Sequence, residues 1–320
     1  MPSAAPEPTV SRFQDDLARL IGAEAVASAR FGVAVSGGPD SMALLWLASR
    51  AFPGRVHAAT VDHRLRAESK AEAAMVAAWC AAEGVPHATL TPHEPITGSV
   101  QSAARAVRYR LLDTWRMEQR IDWLLTAHHA DDQLETMLMR LNRASGVGGL
   151  AGVRARNGAV LRPLLGWRRA ELMEIVERHD LPHVYDPSNE NMRFDRAALR
   201  AHLAKVDWLD PVAATRSAAA CADAEEALQW IVDGIAADHV EGGAGGPVVL
   251  RRTDVPREVL RRLVMLMIRR AEPDASPPRG EAIDQAIVQI FQGKRTSIGK
   301  WLLTGGEQWI VSLAPPRRTS

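Results

Sequence analysis

The sequence predicts an α/β protein built on a doubly wound, mainly parallel sheet, with a smaller, mostly helical C-terminal domain behind it. Three observations carry that expectation. Short apolar runs alternate with helical patterns through residues 31–143, as strands buried beneath crossover helices do. Polar clusters follow the first and the fourth of those runs, where the carboxyl ends of parallel strands leave room for a ligand. From about residue 208 the alternation gives way to helical spacing.

After a Pro/Ala-rich start, residues 31–35 (FGVAV) read as a buried strand entering a glycine loop, and 41–50 (SMALLWLASR) as a helix. A strand at 55–61 precedes a helix at about 69–83. A strand at 86–90 precedes a long helix at about 100–120, and a strand at 122–127 precedes a helix at 130–143. Further on, Ala224, Leu228, Ile231 and Ile235 recur at helical spacing, and EGGAGG at 241–246 reads as a loop. Residues 256–270 form a helix pattern with proline at its start and arginines at 261, 262, 269 and 270 on a solvated face. Residues 293–313 read as strands or irregular structure. The best cut lies near 205–211. It gives an N-terminal extension over 1–22, an α/β domain over 23–207 and a C-terminal domain over 208–320.

Composition excludes several classes. With 320 residues, 47% hydrophobic and 24% charged, the chain has the make-up of a two-domain globular protein. The longest apolar runs, such as LVMLMI at 263–268, are far short of a membrane span, and the start has neither the basic nor the apolar part of a signal peptide. A cytoplasmic protein without membrane association is expected. Two cysteines, Cys80 and Cys221, exclude a disulfide framework and a cysteine-held cluster. The net charge of +1 is an average: residues 211–250 carry −5, whereas 251–320 carry +6, thirteen basic residues against seven acidic. Only four of the 39 basic residues are lysine, so the basic surface consists of planar guanidinium forks suited to phosphate.

The loop Ser36-Gly37-Gly38-Pro39-Asp40-Ser41 joins the first strand to a helix start. Its glycines allow close backbone approach, and the helix start offers free N–H groups to phosphate. Asp40 fits beside phosphates only if a cation bridges them. A plain turn with Asp40 or Ser41 as helix cap is the alternative. After the fourth strand, Ala127-His128-His129-Ala130-Asp131-Asp132-Gln133-Leu134-Glu135-Thr136 gathers carboxylates at one helix end. Such a gathering calls for Mg²⁺ or a substrate ammonium, unless the acids merely cap the helix.

SGGPDS after a first strand resembles the PP-loop of the ATP pyrophosphatases, which bind the pyrophosphate of ATP and transfer AMP. HHADDQLET, followed by Arg143-Ala144-Ser145-Gly146-Val147-Gly148-Gly149-Leu150, is similar to the corresponding segments of the tRNA(Ile)-lysidine synthetases. Val61-Asp62-His63-Arg64-Leu65-Arg66, the ARAVRYR stretch at 104–110, RPLL at 162–165, DPSN at 186–189 and Phe194-Asp195-Arg196 resemble further segments of that family, in the same order. Ala197 departs from it, standing where the family has asparagine.

The resemblance implies conversion of the wobble cytidine of the CAU anticodon of tRNA(Ile) to lysidine, with ATP and L-lysine as substrates and Mg²⁺ as cofactor. It implies that Ser36, Gly37, Gly38, Pro39, Asp40, Ser41 and Arg105 bind ATP, and that Asp40 and Asp132 hold Mg²⁺. Asp131, Asp132 and Glu135 would face the lysine, with His129 or a carboxylate as base. Arg108, Arg196 and Arg200 would meet the tRNA, and the basic surplus of residues 251–320, read apart from the resemblance, adds Arg261 and Arg269 as expected contacts. Oligomeric state is not written in the sequence, and a homodimer stays open. The alternatives are a tRNA thiolase of the same family, which the lack of a C-x-x-C disfavours, a non-catalytic nucleotide-binding module, and a small-molecule adenylating ligase.

Overall fold

A computed structural model describes residues 7–62, 69–92, 100–185, 195–274, 276, 278 and 280–314. Residues 8–21, set apart in the sequence as an extension, form helix α1 (Pro8–Ile21), started by its proline. Val10, Phe13 and Leu17 lie on one face of α1 and are buried in the main core. A short helix α2 (Ala23–Ser28) leads into strand β1 (Phe31–Ala34).

The expected alternation follows: α3 (Pro39–Ala51), β2 (Val56–Val61), α4 (Ser69–Ala82), β3 (His87–Leu90), α5 (Val100–Glu118), β4 (Trp123–Leu125) and α6 (Ala130–Leu141). After it come a short α7 (Val147–Leu150), a small hairpin of β5 (Arg156–Asn157) and β6 (Val160–Leu161), and a 3-10 turn over Pro163–Gly166. Helices α8 (Arg169–Arg178) and α9 (Asp195–Leu203) complete this part. The sheet order is β3-β2-β1-β4-β6-β5, parallel except for the β5–β6 pair.

The sheet is covered on both faces. Helices α1, α3, α4 and α8 share one apolar cluster with β1, and α3 is buried along nearly its whole length. On the other face Leu112 and Trp115 of α5 pack with Leu124. Gly32 permits that second layer, because a Cβ there would stand 2.8 Å from the Trp115 ring. The α3 and α4 crossovers step outward from β1, whereas α5 returns the chain to the other side of β1. The order therefore reverses between β1 and β4, and a crevice opens beyond their carboxyl ends.

The chain divides into two compact units, Met1–Ala222 and Asp223–Ser320, and the division falls inside the long helix α10 (Pro211–His239). The second unit contains β7 (Val240–Glu241), β8 (Val248–Leu250), α11 (Arg257–Ala271), α12 (Gly280–Phe291), β9 (Thr296–Ile298), β10 (Trp301–Thr304) and β11 (Trp309–Leu313). Its strands form an antiparallel sheet in the order β7-β8-β11-β10-β9. The apolar stripe of α11, from Val259 to Ile268, packs with Ile283 and Ile287 of α12 and with Trp301 and Trp309 of the sheet.

Candidate active site

The loop after β1 is braced by its own serines. Ser41 Oγ donates to the Gly38 carbonyl at 2.8 Å and accepts the Ser36 N–H at 3.2 Å, and the two hydroxyl oxygens lie 3.3 Å apart. Gly37 has φ +84°, a left-handed conformation that glycine adopts without strain, and its carbonyl accepts the Val184 N–H at 2.9 Å. A Cβ added at Gly38 would meet only Ser36 Oγ, at 3.7 Å, so the space before the helix is open. Pro39 occupies the first turn of α3, and Asp40 follows it. Asp40 Oδ1 is buried without a hydrogen-bond partner, an expensive state for a carboxylate oxygen unless a ligand completes it.

The start of α6 faces that loop across the crevice. His129 caps the helix: its Nδ1 accepts the Asp132 N–H at 3.3 Å, and Asp132 Oδ2 accepts the His129 N–H at 3.2 Å. This leaves His129 Nε2 at 3.5 Å from both Asp40 Oδ2 and Asp132 Oδ2. The ring, only 2% exposed, thus ties the two carboxylate-bearing loops together. Burial works against charge on His129, but the contact with Asp40 and the carboxylates of Asp132, Asp40 and Asp131 outweigh it and raise its pKa. His128 goes the other way. Burial, with Arg162, Arg105 and Arg196 adding to it and only Asp132 opposing, brings its pKa down to about 4.

The remaining carboxylates are already engaged. Glu135, 2% exposed, accepts from Arg196 Nε at 2.8 Å and from Arg200 Nε at 2.7 Å and Nη2 at 3.0 Å. Arg196 also reaches Asp132 Oδ1 at 3.4 Å, and Arg200 lies 3.7 Å from the same atom. These two arginines therefore face carboxylates in this structure. Asp131 accepts the Arg169 N–H at 2.8 Å and the Arg168 guanidinium at 3.3 Å, which fixes the start of α8 against α6. Arg105 and Arg108 of α5 are exposed, and Arg105 lies over the Tyr109 ring at 5.2 Å. Most of the DHRLR segment and all of DPSN, at 63–66 and 186–189, lie outside the described residues.

Sequence reasoning missed Trp167. Its carbonyl accepts the Ala130 N–H at 2.8 Å, its indole N–H donates to Asp16 at 2.7 Å, and Arg12 lies over its ring at 4.0 Å. Helix α1 thereby holds the first residue of α6. A tryptophan beside paired arginines is the only local signal, since the anchoring atom belongs to the backbone.

In the second unit, the arginine face of α11 is largely spoken for. Arg257 pairs with Asp284, Arg261 lies near Glu258 and Asp284, Arg262 pairs with Glu225 and Glu258, and Arg270 donates to the Val240 and Ala236 carbonyls. Arg269 is exposed. Among the described residues no group of three or more His, Cys, Asp or Glu is arranged to hold a metal alone, and no helix is long and apolar enough to cross a membrane. Cys80 is buried, with a thiol pKa pushed up to about 12, far from a thiolate nucleophile.

A PP-loop domain model matches residues 9–207, which includes α1. A tRNA(Ile)-lysidine synthase of Zymomonas mobilis is 40% identical over 301 residues, covering 91% of this chain and 90% of the relative. One of Novosphingobium aromaticivorans is 42% identical over 304 residues, covering 91% of each. Among solved structures, a U34-tRNA thiolase of Methanococcus maripaludis shares the fold with a TM-score of 0.53 at 14% identity, covering 66% of this chain and 78% of that one. The chain belongs to the PP-loop family and, within it, to the tRNA(Ile)-lysidine synthases.

Proposed function

We propose that this protein ligates L-lysine to the wobble cytidine of tRNA(Ile) bearing a CAU anticodon, using ATP. The observation that carries this reading is the meeting of Asp40 and Asp132, from the loops after β1 and β4, around His129 at the switch point of the sheet. The cytosine O2 attacks the α-phosphorus of ATP and pyrophosphate leaves, which converts a poor leaving group into a good one. The lysine ε-amine then attacks C2, AMP departs with the oxygen, and the amine's surplus proton is released.

Within that chemistry the loop over 36–41 cradles the pyrophosphate through backbone N–H groups and the positive end of α3. Mg²⁺ takes one or two carboxylates and fills its shell with phosphate oxygens and water, so the unpartnered Asp40 Oδ1, with Asp132 nearby, fits it without a full protein cage. Held there, it would offset charge on the leaving pyrophosphate. His129 keeps the two carboxylates in register. Asp132 is the carboxylate facing the lysine ammonium, Glu135 holds Arg196 and Arg200 beside it, Asp131 ties α6 to α8, and Arg105 and Arg108 offer exposed charge to phosphate. Arg269 is the exposed contribution of α11 to tRNA binding. Cytoplasmic location and either a monomer or a homodimer agree with this reading.

The test is to incubate the protein with ATP, Mg²⁺, radiolabelled lysine and tRNA(Ile) carrying CAU. Label in the tRNA is expected, and tRNA(Met) with the same anticodon should remain unlabelled. Absence of label under conditions where ATP binds would overturn the assignment.

A further inference from the structure

Arg162 stands at the carboxyl end of β6, next to β4 in the sheet, and is only 5% exposed. Its Nη1 donates to the Arg154 carbonyl at 2.6 Å, while its buried Nε has no partner. Among the described residues no carboxylate lies within 4.0 Å of the guanidinium. Arg154, whose carbonyl it holds, also carries a buried Nη1 without a partner. A buried charge without a counter-charge is costly, and proteins keep such groups where a ligand supplies the missing partner. The field around it indicates which ligand. His128 lies in the fields of Arg162 and Arg105, with Asp132 opposing them and Arg196 already paired to Glu135, and a buried guanidinium fork that keeps an N–H unpartnered suits a phosphoryl oxygen.

We propose that Arg162 binds a phosphoryl group brought into the crevice by a substrate, either the nucleotide or the tRNA backbone. This rests on the proposed function for the identity of the substrates, not for the presence of the site. Binding by the Arg162→Gln variant separates the sources: ATP with Mg²⁺ is titrated calorimetrically, and tRNA(Ile) is measured by filter binding without lysine. The expected result is a dissociation constant raised about 10-fold or more for one of the two, as loss of a charge-assisted contact implies. The melting temperature should be unchanged or higher, because an uncompensated charge has been removed. Weakened ATP binding assigns the nucleotide, and weakened tRNA binding alone assigns the backbone. Affinities for both within about twofold of wild type would overturn the inference and leave Arg162 as a clip for the Arg154 carbonyl. Should the glutamine variant not fold, Arg162→Lys serves, with a smaller loss expected and unchanged affinities again contradicting. A wild-type protein that binds ATP yet makes no lysidine would sink the proposed function while leaving this comparison valid.

Discussion

The crevice above β1 and β4 and the outer face of α11 both gather charge, but they dispose of it differently. On α11, Arg257, Arg261, Arg262 and Arg270 are answered by Asp284, Glu258, Glu225 and two backbone carbonyls. In the crevice, Asp40 keeps a buried oxygen without a partner and Arg162 a buried N–H without one. A surplus of +6 over residues 251–320 thus marks where charge is, while the unpartnered Asp40 and Arg162 atoms are where the proposed substrates would bind. The internal pairing of α11 makes it mainly a stabilising element, whereas the incomplete pairing in the crevice costs stability.

The contrast breaks most visibly at Glu135, whose pairs with Arg196 and Arg200 are complete. Glu135→Gln leaves Arg196 and Arg200 without their shared carboxylate and should lower unfolding free energy by about 3 kcal/mol, read by urea denaturation. Full stability in that variant would show the network to be a solvated one. Next comes pH. Because His128 has its pKa depressed to about 4 in the fold, its contribution is present above its unfolded value near 6.5 and lost as pH falls from there through 4. His128→Gln should flatten that acid limb by up to about 3 kcal/mol. An unchanged limb would place the titrating group elsewhere. The smallest effects separate exposed from paired arginine. Arg269→Ala should weaken tRNA binding about twofold and reduce its salt dependence, whereas Arg261→Ala should alter melting more than binding. The reverse order would mean that the α11 pairs open on binding.

How much of this was legible follows from how local each feature is. The strands and helices from β1 to α6 are announced by contiguous apolar runs and short loops, and Asp40, His129 and Asp132 by motifs that sit directly on strand ends. Helix α1 was obscured by its Pro/Ala-rich flank, although Val10, Phe13 and Leu17 show helical spacing. Strands β7 and β8 are too short for alternation to register. The partners of Arg196 and Arg200 lie some sixty residues away on another helix, so residue type predicted phosphate where geometry supplies Glu135. Trp167 acts through its carbonyl, which no pattern of side chains records.

In the proposed reaction the unpartnered oxygen of Asp40 meets a metal–nucleotide complex. ATP is titrated into the wild-type protein and the Asp40→Ala variant, each with and without Mg²⁺. The structure predicts that Mg²⁺ strengthens binding to the wild type and that the variant, folded to the same melting temperature, loses this enhancement. Equal affinity and equal Mg²⁺ dependence in the two proteins would contradict it.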